Sequence, residues 1–366
     1  MPPAASEVHL PDVMRAAVYL GPGRLEVREV PVPAIGPGEL LVRVEACGIC
    51  HTDLKKIEHG LLPPPRIFGH EIAGVVAAAG PGVRDFQPGD RVVVFHHVPC
   101  RDCFYCRRKL YAQCPVYKRV GVTAGFEPSG GGFAQYVRVM DWIVRQGVER
   151  IPDGVSFERA SLVEPVNTCH KAVEQLDPQP EDLVLVLGQG PIGLLFTMLI
   201  CRRGARVVAT DTIPGRRERS REVGALECWD PRCTDVIEAV RRMSDGRGAD
   251  QVVVAVSADG IVGQAVAASR SGSRILLFSQ TSPEETVQLP GSEICVAERT
   301  VFGCYSASVE LQRESAGLVF GGELPLEALV SHCFSLDQIG PAIRLALHPD
   351  EKSLKIVVRP QQRGSP

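Results

Sequence analysis

The stretch from residue 182 to 211 places the strongest constraint on the fold of this chain. An apolar run, LVLVL, leads into the turn GQGPIG, a helical pattern up to Gly204, and a second strand pattern that ends at Asp211. In such a unit, Gly188 permits the tight turn, Gly190 lets the backbone approach a pyrophosphate, and Gly193 lets the helix pack closely on the strand. The stretch predicts a dinucleotide-binding turn made of Gly188, Gly190, Pro191, Ile192 and Gly193.

Asp211 bears on which dinucleotide is bound. A carboxylate at the end of the second strand accepts hydrogen bonds from the adenosine ribose hydroxyls and repels a 2′-phosphate, which favours NAD over NADP. Two arginines, Arg216 and Arg217, act weakly in the opposite direction. Arg216 is the one expected to reach the ribose, whereas the mixture of arginine and glutamate from residue 216 to 222 is typical of a solvated helix face.

The two halves of the chain have different patterns. Strand and helix patterns alternate through residues 167–302, which predicts a doubly wound parallel α/β sheet. Residues 14–144 contain short β-prone runs separated by Gly and Pro, which predicts an irregular β-barrel or sandwich. The last apolar run, SLKIVVRP, needs a sheet to join, and we expect it to return to the first domain. Residues 1–13 are expected to form a flexible, proline-rich leader.

Composition excludes several classes of partner. A formal net charge of -3 provides no basic field for nucleic acid or anionic lipid. No apolar run approaches the ~18 residues of a membrane span, and the first residues lack the pattern of a secretory signal. We therefore expect a cytoplasmic protein. There, 13 cysteines favour metal ligation or burial over disulfides, since an odd number cannot all pair.

Four cysteines lie within one short segment: Cys100, Cys103, Cys106 and Cys114. Four thiolates so close in sequence can close a tetrahedron around Zn²⁺ and leave no open position for chemistry, which predicts a structural zinc lobe at residues 96–116. An iron–sulfur cluster is an alternative because thiolates hold those too. A DNA-reading zinc finger is disfavoured, since no basic recognition helix follows the motif.

A second, open metal site is predicted from residues farther apart in sequence. Cys50 follows an alternating strand pattern in ACGICHTD, and His70 is followed by Glu71 in FGHEIAG. A catalytic zinc takes about three protein ligands and water, so one more ligand is needed. Glu164, a carboxylate in an apolar run at the junction of the two halves, is the residue we expect to supply it.

Taken together, the motifs GICHTD, GHEIAGVV, GDRVVV, the four-cysteine lobe, EP before a helix, and VLGQGPIGLL with Asp211 resemble the zinc-dependent medium-chain dehydrogenase/reductase superfamily. The resemblance extends from about Met14 to Pro360. It implies a GroES-like catalytic domain formed by residues 14–166 and 303–366, a Rossmann NAD-binding domain at 167–302, and an active site in the cleft between them.

The resemblance also implies a ligand set. It makes Cys50 and His70 zinc ligands and Glu71 a neighbouring carboxylate that can ligate or exchange with water. At the third ligand position, simple alcohol dehydrogenases have a cysteine and the polyol branch often has a glutamate, so Glu164 favours polyol or amino-alcohol substrates. Cys169 is the alternative third ligand.

Further roles follow from the resemblance alone. Thr52 lies where the family keeps a hydroxyl that takes the substrate proton, and Asp53 matches the carboxylate that orients the ligand histidine. His51 is expected near the cofactor pyrophosphate. Many relatives have a proton-relay histidine where this chain has Lys55, so the proton exit route stays open.

The implied activity is reversible oxidation of a secondary alcohol (a polyol, cyclitol or amino alcohol) to a ketone, with hydride transfer to NAD and two zinc ions per subunit, one catalytic and one structural. An L-threonine 3-dehydrogenase-like enzyme and a simple alcohol dehydrogenase are alternatives. A zinc-independent quinone or enoyl reductase would have no use for Cys50 and His70, and a catalytically silent NAD or zinc sensor is the rival from another class. Relatives suggest a dimer or tetramer.

Overall fold

A computed structural model describes residues 10–95, 97–117, 130–279 and 286–363. Most of the expected leader and His96 of the expected lobe lie outside the described residues. The strands are β1 (Val13–Gly21), β2 (Arg24–Pro31), β3 (Leu40–Gly48), β4 (Arg66–Ile67), β5 (Glu71–Ala79), β6 (Arg91–Val94), β7 (Tyr136–Val139), β8 (Val148–Arg150), β9 (Leu183–Leu187), β10 (Arg206–Thr210), β11 (Glu227–Trp229), β12 (Ala249–Val254), β13 (Ser269–Leu277), β14 (Thr300–Gly303), β15 (Val330–Ser335) and β16 (Lys355–Arg359).

The helices are α1 (His51–His59), α2 (Asp141–Gly147), α3 (Phe157–Ala160), α4 (Val163–Leu176), α5 (Pro191–Arg202), α6 (Pro214–Glu222), α7 (Val236–Arg242), α8 (Ile261–Ala268), α9 (Gly291–Cys295), α10 (Gln312–Phe320) and α11 (Ile339–Leu347). Short 3₁₀ turns occur at Cys106–Arg108, Tyr111–Gln113, Val309–Leu311, Leu326–Ala328 and Leu336–Gln338. In the part of the chain that the structure describes, no helix has both the length and the apolar character needed to cross a membrane.

Six strands form a parallel sheet in the order β11-β10-β9-β12-β13-β14. Every residue of the central strand β9 is buried. Alternate residues of this strand belong to two different apolar clusters, one with Val184 and Val186 and the other with Leu185. Because helices cover both faces of such a sheet, a central strand is apolar at every position, which explains the continuous run in the sequence.

A mixed sheet in the order β15-β16-β3-β5-β6-β8, with β7 also on β3, dominates the other half. The C-terminal strand β16 pairs antiparallel with β3, where Val358 lies opposite Cys47. A smaller sheet, β2-β1-β4, packs into the same core. The chain passes from the mixed sheet to the parallel one through α4, and it leaves the parallel sheet after β14.

Candidate metal and cofactor sites

Strand pairing brings together a cysteine, a histidine and a glutamate. Strands β3 and β5 are antiparallel, and the last residue of β3, Gly48, pairs with the first residue of β5, Glu71. Cys50 follows as the residue that caps α1, and His70 immediately precedes β5. The ligand atoms of Cys50, His70 and Glu71 all lie within 4.8 Å of one another. We call these three residues the cleft group.

Asp53 fixes the histidine of this group. Its Oδ1 lies 3.1 Å from Nδ1 of His70, and its Oδ2 accepts a hydrogen bond from the Cys50 amide at 3.2 Å. Burial alone would lower the pKa of His70, but Asp53 and Cys50 outweigh that effect and raise the pKa well above its ordinary value. An imidazole whose Nδ1 proton is held by a carboxylate presents Nε2 as its metal-binding nitrogen.

A buried lysine holds the glutamate of the cleft group. Nζ of Lys355, at the start of β16, lies 2.5 Å from Oε1 of Glu71 and donates to the Ile49 carbonyl at 3.2 Å. Both side chains are buried. Sequence reasoning missed Lys355, although a lysine within the apolar strand pattern of SLKIVV was a signal that a buried charge lay nearby.

The other carboxylate oxygen of Glu71 tests whether a cation fits here. Glu71 Oε2 is buried and has no hydrogen-bond partner. A buried carboxylate oxygen without a donor is costly, and a nearby metal ion would supply the missing interaction. The backbone leaves room for the carboxylate because a Cβ atom at Gly48 would lie 1.8 Å from Oε2. Sulfur, nitrogen and oxygen donors in this combination suit Zn²⁺.

Glu164 lies beside the cleft group but is not one of the three residues with ligand atoms within 4.8 Å. It is the second residue of α4 and is 8% exposed. Burial is the main cause that raises its pKa to about 7; Glu71 and Asp53 add to the rise, whereas His70 and Lys355 oppose it. The alternative ligand, Cys169, is fully buried and its thiol lies 3.9 Å from the Ile192 carbonyl, on the side of the dinucleotide turn.

The helix that Cys50 caps begins with His51, expected near the cofactor pyrophosphate, and Thr52, expected to take the substrate proton. Thr52 is half-buried and His51 is exposed, both in the first turn of α1. Lys55 is half-buried one turn later. Their assigned roles remain predictions from the resemblance.

The second metal group is the cysteine lobe. The four sulfur atoms of Cys100, Cys103, Cys106 and Cys114 lie within 4.8 Å of one another, with separations of 3.9 Å (100–106), 3.5 Å (103–106) and 3.6 Å (100–114). Every cysteine of the chain is a free thiol. Tetrahedral Zn–S bonds of ~2.3 Å place neighbouring sulfurs about 3.8 Å apart. The spacing therefore fits one ion, whereas thiolates on separate irons of a cluster lie farther apart.

The dinucleotide turn has the backbone that its glycines require. Gly188 has φ +91°, and a Cβ atom at Gly193 would lie 1.9 Å from the Gly188 carbonyl oxygen. Gly190 caps α5, and Pro191 is the first residue of that helix. The N-terminal amides of α5 are thus available for phosphate.

Asp211 and Arg216 both lie close to this turn. The Asp211 carboxylate accepts hydrogen bonds from the amides of Gln189 and Ile213, each at 2.8 Å. A Cβ atom at Gly190 would lie 3.8 Å from Nη1 of Arg216. The structure therefore brings the two residues that bear on cofactor choice to the same turn.

Comparisons with known proteins agree with this architecture. Residues 36–152 match the model of the alcohol dehydrogenase GroES-like domain, and residues 191–319 match that of the zinc-binding dehydrogenases. Sorbitol dehydrogenase of Bacillus subtilis is 29% identical over 361 residues, which cover 96% of this chain and 99% of the relative. L-threonine 3-dehydrogenase of Pyrococcus horikoshii is 32% identical over 314 residues, which cover 84% and 87%.

Solved structures are similar over the same length. A zinc-binding dehydrogenase from Sinorhizobium meliloti, bound to NADP, has 30% identity and a TM-score of 0.87, and the match covers 96% of this chain and 100% of that one. Alcohol dehydrogenase TADH from Thermus has 30% identity and a TM-score of 0.83, with 94% and 99% covered. The family and the fold predicted from the sequence are confirmed. This chain belongs to the zinc-dependent alcohol dehydrogenases of the medium-chain dehydrogenase/reductase superfamily.

Proposed function

We propose that this enzyme reversibly oxidises a secondary alcohol of the polyol, cyclitol or amino-alcohol class to a ketone, with NAD as the hydride acceptor. The observation that carries the proposal is the cleft group, in which Cys50, His70 and Glu71 converge with Glu164 beside them. Relatives include a sorbitol dehydrogenase, an (R,R)-butanediol dehydrogenase of Neisseria gonorrhoeae, and L-threonine 3-dehydrogenases. Their named substrates share a hydroxyl with a polar group next to it.

Cys50 and His70 would hold a catalytic zinc, with Glu164 or Glu71 as the carboxylate ligand. Bound zinc would act as a Lewis acid and lower the pKa of the substrate hydroxyl, so that the hydroxyl can lose its proton near neutral pH. Asp53 keeps His70 in the ligating tautomer. Lys355 holds one oxygen of Glu71, and the other oxygen is buried without a hydrogen-bond partner. The four-cysteine lobe would hold a second, structural zinc.

Thr52 would take the substrate proton, since it lies in the same helical turn as the Cys50 cap. His51 would lie against the cofactor pyrophosphate. The nicotinamide accepts hydride at carbon, and the protein contributes by holding the substrate carbon and the ring in contact. In this arrangement the metal and the proton acceptor would act on the substrate hydroxyl, and the hydride acceptor would act on the carbon that carries it.

We propose NAD over NADP on the basis of Asp211. Its carboxylate is fixed by two backbone amides at the end of β10, where it would repel a 2′-phosphate. Arg216 lies near Gly190 and would weaken the preference without reversing it. One solved relative is bound to NADP and another to NADH, so the family accommodates either cofactor. Steady-state rates with each cofactor, for the wild type and for Asp211→Gly, test the assignment.

We also propose that the domain boundaries follow the two sheets: residues 14–166 and 303–366 form the catalytic domain, and 167–302 the NAD-binding domain. The pairing of β16 with β3 and the parallel order of β9 to β14 support this division. A homodimer or homotetramer is proposed from the resemblance and can be tested by light scattering.

The decisive experiment is zinc per chain by elemental analysis, together with NAD⁺ reduction against polyols, cyclitols, amino alcohols and isolated secondary alcohols. Two zinc ions per chain with turnover on a vicinal diol or amino alcohol support the proposal. One zinc ion, held by the lobe, with no turnover would contradict it and would favour the silent sensor. Turnover on isolated secondary alcohols alone would contradict the substrate class while leaving the reaction intact.

A further inference from the structure

Asn167 joins the two passages of the chain between the sheets. It lies in α4, the first passage, and is fully buried. Its Nδ2 donates to the Ser308 carbonyl at 2.9 Å, and its Oδ1 accepts from the Ser308 amide at 2.7 Å. Ser308 belongs to the second passage, which follows β14. One side-chain amide thus occupies both backbone groups of a residue 141 positions away.

Two other side chains, Lys171 and Tyr117, bond to the same part of the second passage. We call this part, residues 305–308, the return segment. Lys171, one turn after Asn167, donates to the Tyr305 carbonyl at 2.8 Å and to the Ser306 carbonyl at 3.3 Å. Residues four apart lie on one face of a helix, so α4 presents a continuous edge of donors to the return segment.

A tyrosine that packs against two cysteines of the lobe also holds the return segment. Tyr117, three residues after the last lobe cysteine, is fully buried. Its hydroxyl lies 3.0 Å from Oγ of Ser306 and donates to the Ala307 carbonyl at 3.1 Å. The return segment is therefore fixed between the lobe and α4.

Glu164 lies on the same face of α4, one turn before Asn167. Asn167 makes a third bond, from Nδ2 to Oε1 of Gln312 at 3.1 Å. Gln312 and Glu164 line the same small internal space. Glu164 is also close enough to Tyr117 to add to the rise in the tyrosine pKa, whose main cause is burial. One bond of Asn167 thus ends at Gln312, a residue that lies around the same space as Glu164.

We propose that Asn167 is a positioning residue: through Ser308 and Gln312 it sets the place of the first turn of α4, and hence of Glu164 relative to the cleft group. The inference rests on the proposed function, in which Glu164 serves the catalytic metal. An amide suits this position because it carries a donor and an acceptor. An apolar residue of similar size would leave both backbone groups of Ser308 buried without partners.

The test compares Asn167→Leu with a matched control, Ser244→Ala. Ser244 is also buried, and its hydroxyl also bonds to backbone groups, namely the Val240 and Arg241 carbonyls and the Gly248 amide, in the turn between α7 and β12. Each protein is prepared with zinc in the lobe and cobalt(II) in the cleft, so that the visible cobalt spectrum reports ligand geometry. The kinetic constants for the alcohol, the dissociation constant for NADH and the Tm are measured in parallel.

Asn167→Leu is expected to alter the cobalt spectrum and to lower kcat/KM by ~10- to 100-fold, the range that a small misplacement of a reacting group produces. NADH affinity should stay unchanged. Ser244→Ala should lower the Tm and leave the spectrum, kcat and KM as in the wild type. An Asn167→Leu protein that behaves like the control, with only a lower Tm, overturns the proposal.

Tyr117→Phe provides the second variant if Asn167→Leu does not fold. It removes only the hydroxyl that holds Ser306 and Ala307, and a smaller spectral change in the same direction is expected, whereas an unchanged spectrum counts against the proposal. The spectrum also separates the two hypotheses. If the wild-type enzyme oxidises no alcohol but Asn167→Leu alters the cobalt spectrum, the proposed function fails and the positioning role stands.

Discussion

The cysteine lobe and the cleft group are both candidate metal sites, but they are built in different ways. The lobe takes all four ligands from residues 100–114, where short turns bring the sulfurs together. The cleft group takes its ligands from the start of α1 and the start of β5, and it depends on a lysine from β16. The lobe is local, whereas the cleft forms only when distant segments have folded.

The two sites also differ in the groups that surround their ligands. In the lobe, backbone hydrogen bonds are the main cause that lowers the pKa of the exposed Cys100 to about 7. In the cleft, buried charges surround the ligands, since Asp53 holds His70 and Lys355 holds Glu71. A closed site needs only converging thiols, whereas a site that exchanges its ligands needs residues behind those ligands that hold them in place.

The largest expected effect is on activity and zinc content, and it is confined to the cleft group. His70→Ala should reduce turnover to background and lower the zinc content from two ions per chain to one, because the cleft loses a ligand while the lobe is untouched. Elemental analysis, NADH formation and NADH binding check this, with binding expected to persist. The exposed His59 offers the control, His59→Ala, which should leave every value unchanged. Turnover retained without the cleft zinc would contradict a metal-dependent reaction.

A change in the lobe should instead lower the thermal stability of the protein. Cys106→Ser removes a buried thiol ligand, and structural zinc sites contribute on the order of 10 kcal/mol to folding in small domains. We expect the loss of one zinc and a fall of several degrees in Tm, with kcat per folded molecule changing less than it does in His70→Ala. Calorimetry and active-site titration measure the two effects. Cys233→Ser, at an exposed thiol, is the control. An unchanged Tm would mean that the lobe does not depend on metal.

A smaller effect is expected when a partner, and not a ligand, is altered. Asp53→Asn keeps the size of the side chain but removes the charge that faces His70, and such partners typically contribute 10- to 100-fold to metal affinity. Competition with a chelator should show weakened binding in the cleft and unchanged binding in the lobe. Asp102→Asn makes the matched change beside the lobe, where the carboxylate is 88% exposed and pairs with Arg107. If the cleft of Asp53→Asn binds zinc as tightly as the cleft of Asp102→Asn, Asp53 does not orient His70 for the metal.

The same contrast explains how much the sequence could predict. The lobe and the dinucleotide turn depend on residues close together in the chain, so spacing alone predicted Cys100, Cys114 and Gly188 together with their neighbours. The parallel sheet followed from alternating patterns for the same reason. In the cleft, the sequence offered Cys50 and His70 as candidate ligands, but the pairing of Glu71 with Lys355 joins residues 284 positions apart. Register between β16, β3 and β5 creates that contact, and no local pattern encodes it.

Asn167 is another residue whose partner could not be predicted from the sequence. In the sequence it is one polar residue in an amphipathic helix, three positions after Glu164, and nothing nearby indicates its partner. Only the return of the chain after β14 places Ser308 against it. Side chains that bond to the backbone of a distant segment carry no spacing signal, so they are found from the structure.

The smallest expected effect concerns the ligand that the geometry leaves outside the group of three. Burial raises the pKa of Glu164 to about 7, so the carboxyl is largely protonated below that pH in the absence of metal. A carboxylate must lose its proton to bind zinc. If Glu164 is a ligand, zinc affinity in the cleft should fall as pH drops below about 7, by up to tenfold per unit from this group alone.

Glu164→Gln removes this titration and keeps the shape of the side chain. The slope of log affinity against pH in the cleft should become shallower by up to about one unit, because Cys50 and His70 still release protons on binding. The lobe slope should be the same in both proteins and serves as the internal control. Identical cleft slopes would place Glu164 outside the metal shell. In that case Glu71, with its one oxygen free of hydrogen bonds, would be the carboxylate that completes the site with Cys50 and His70.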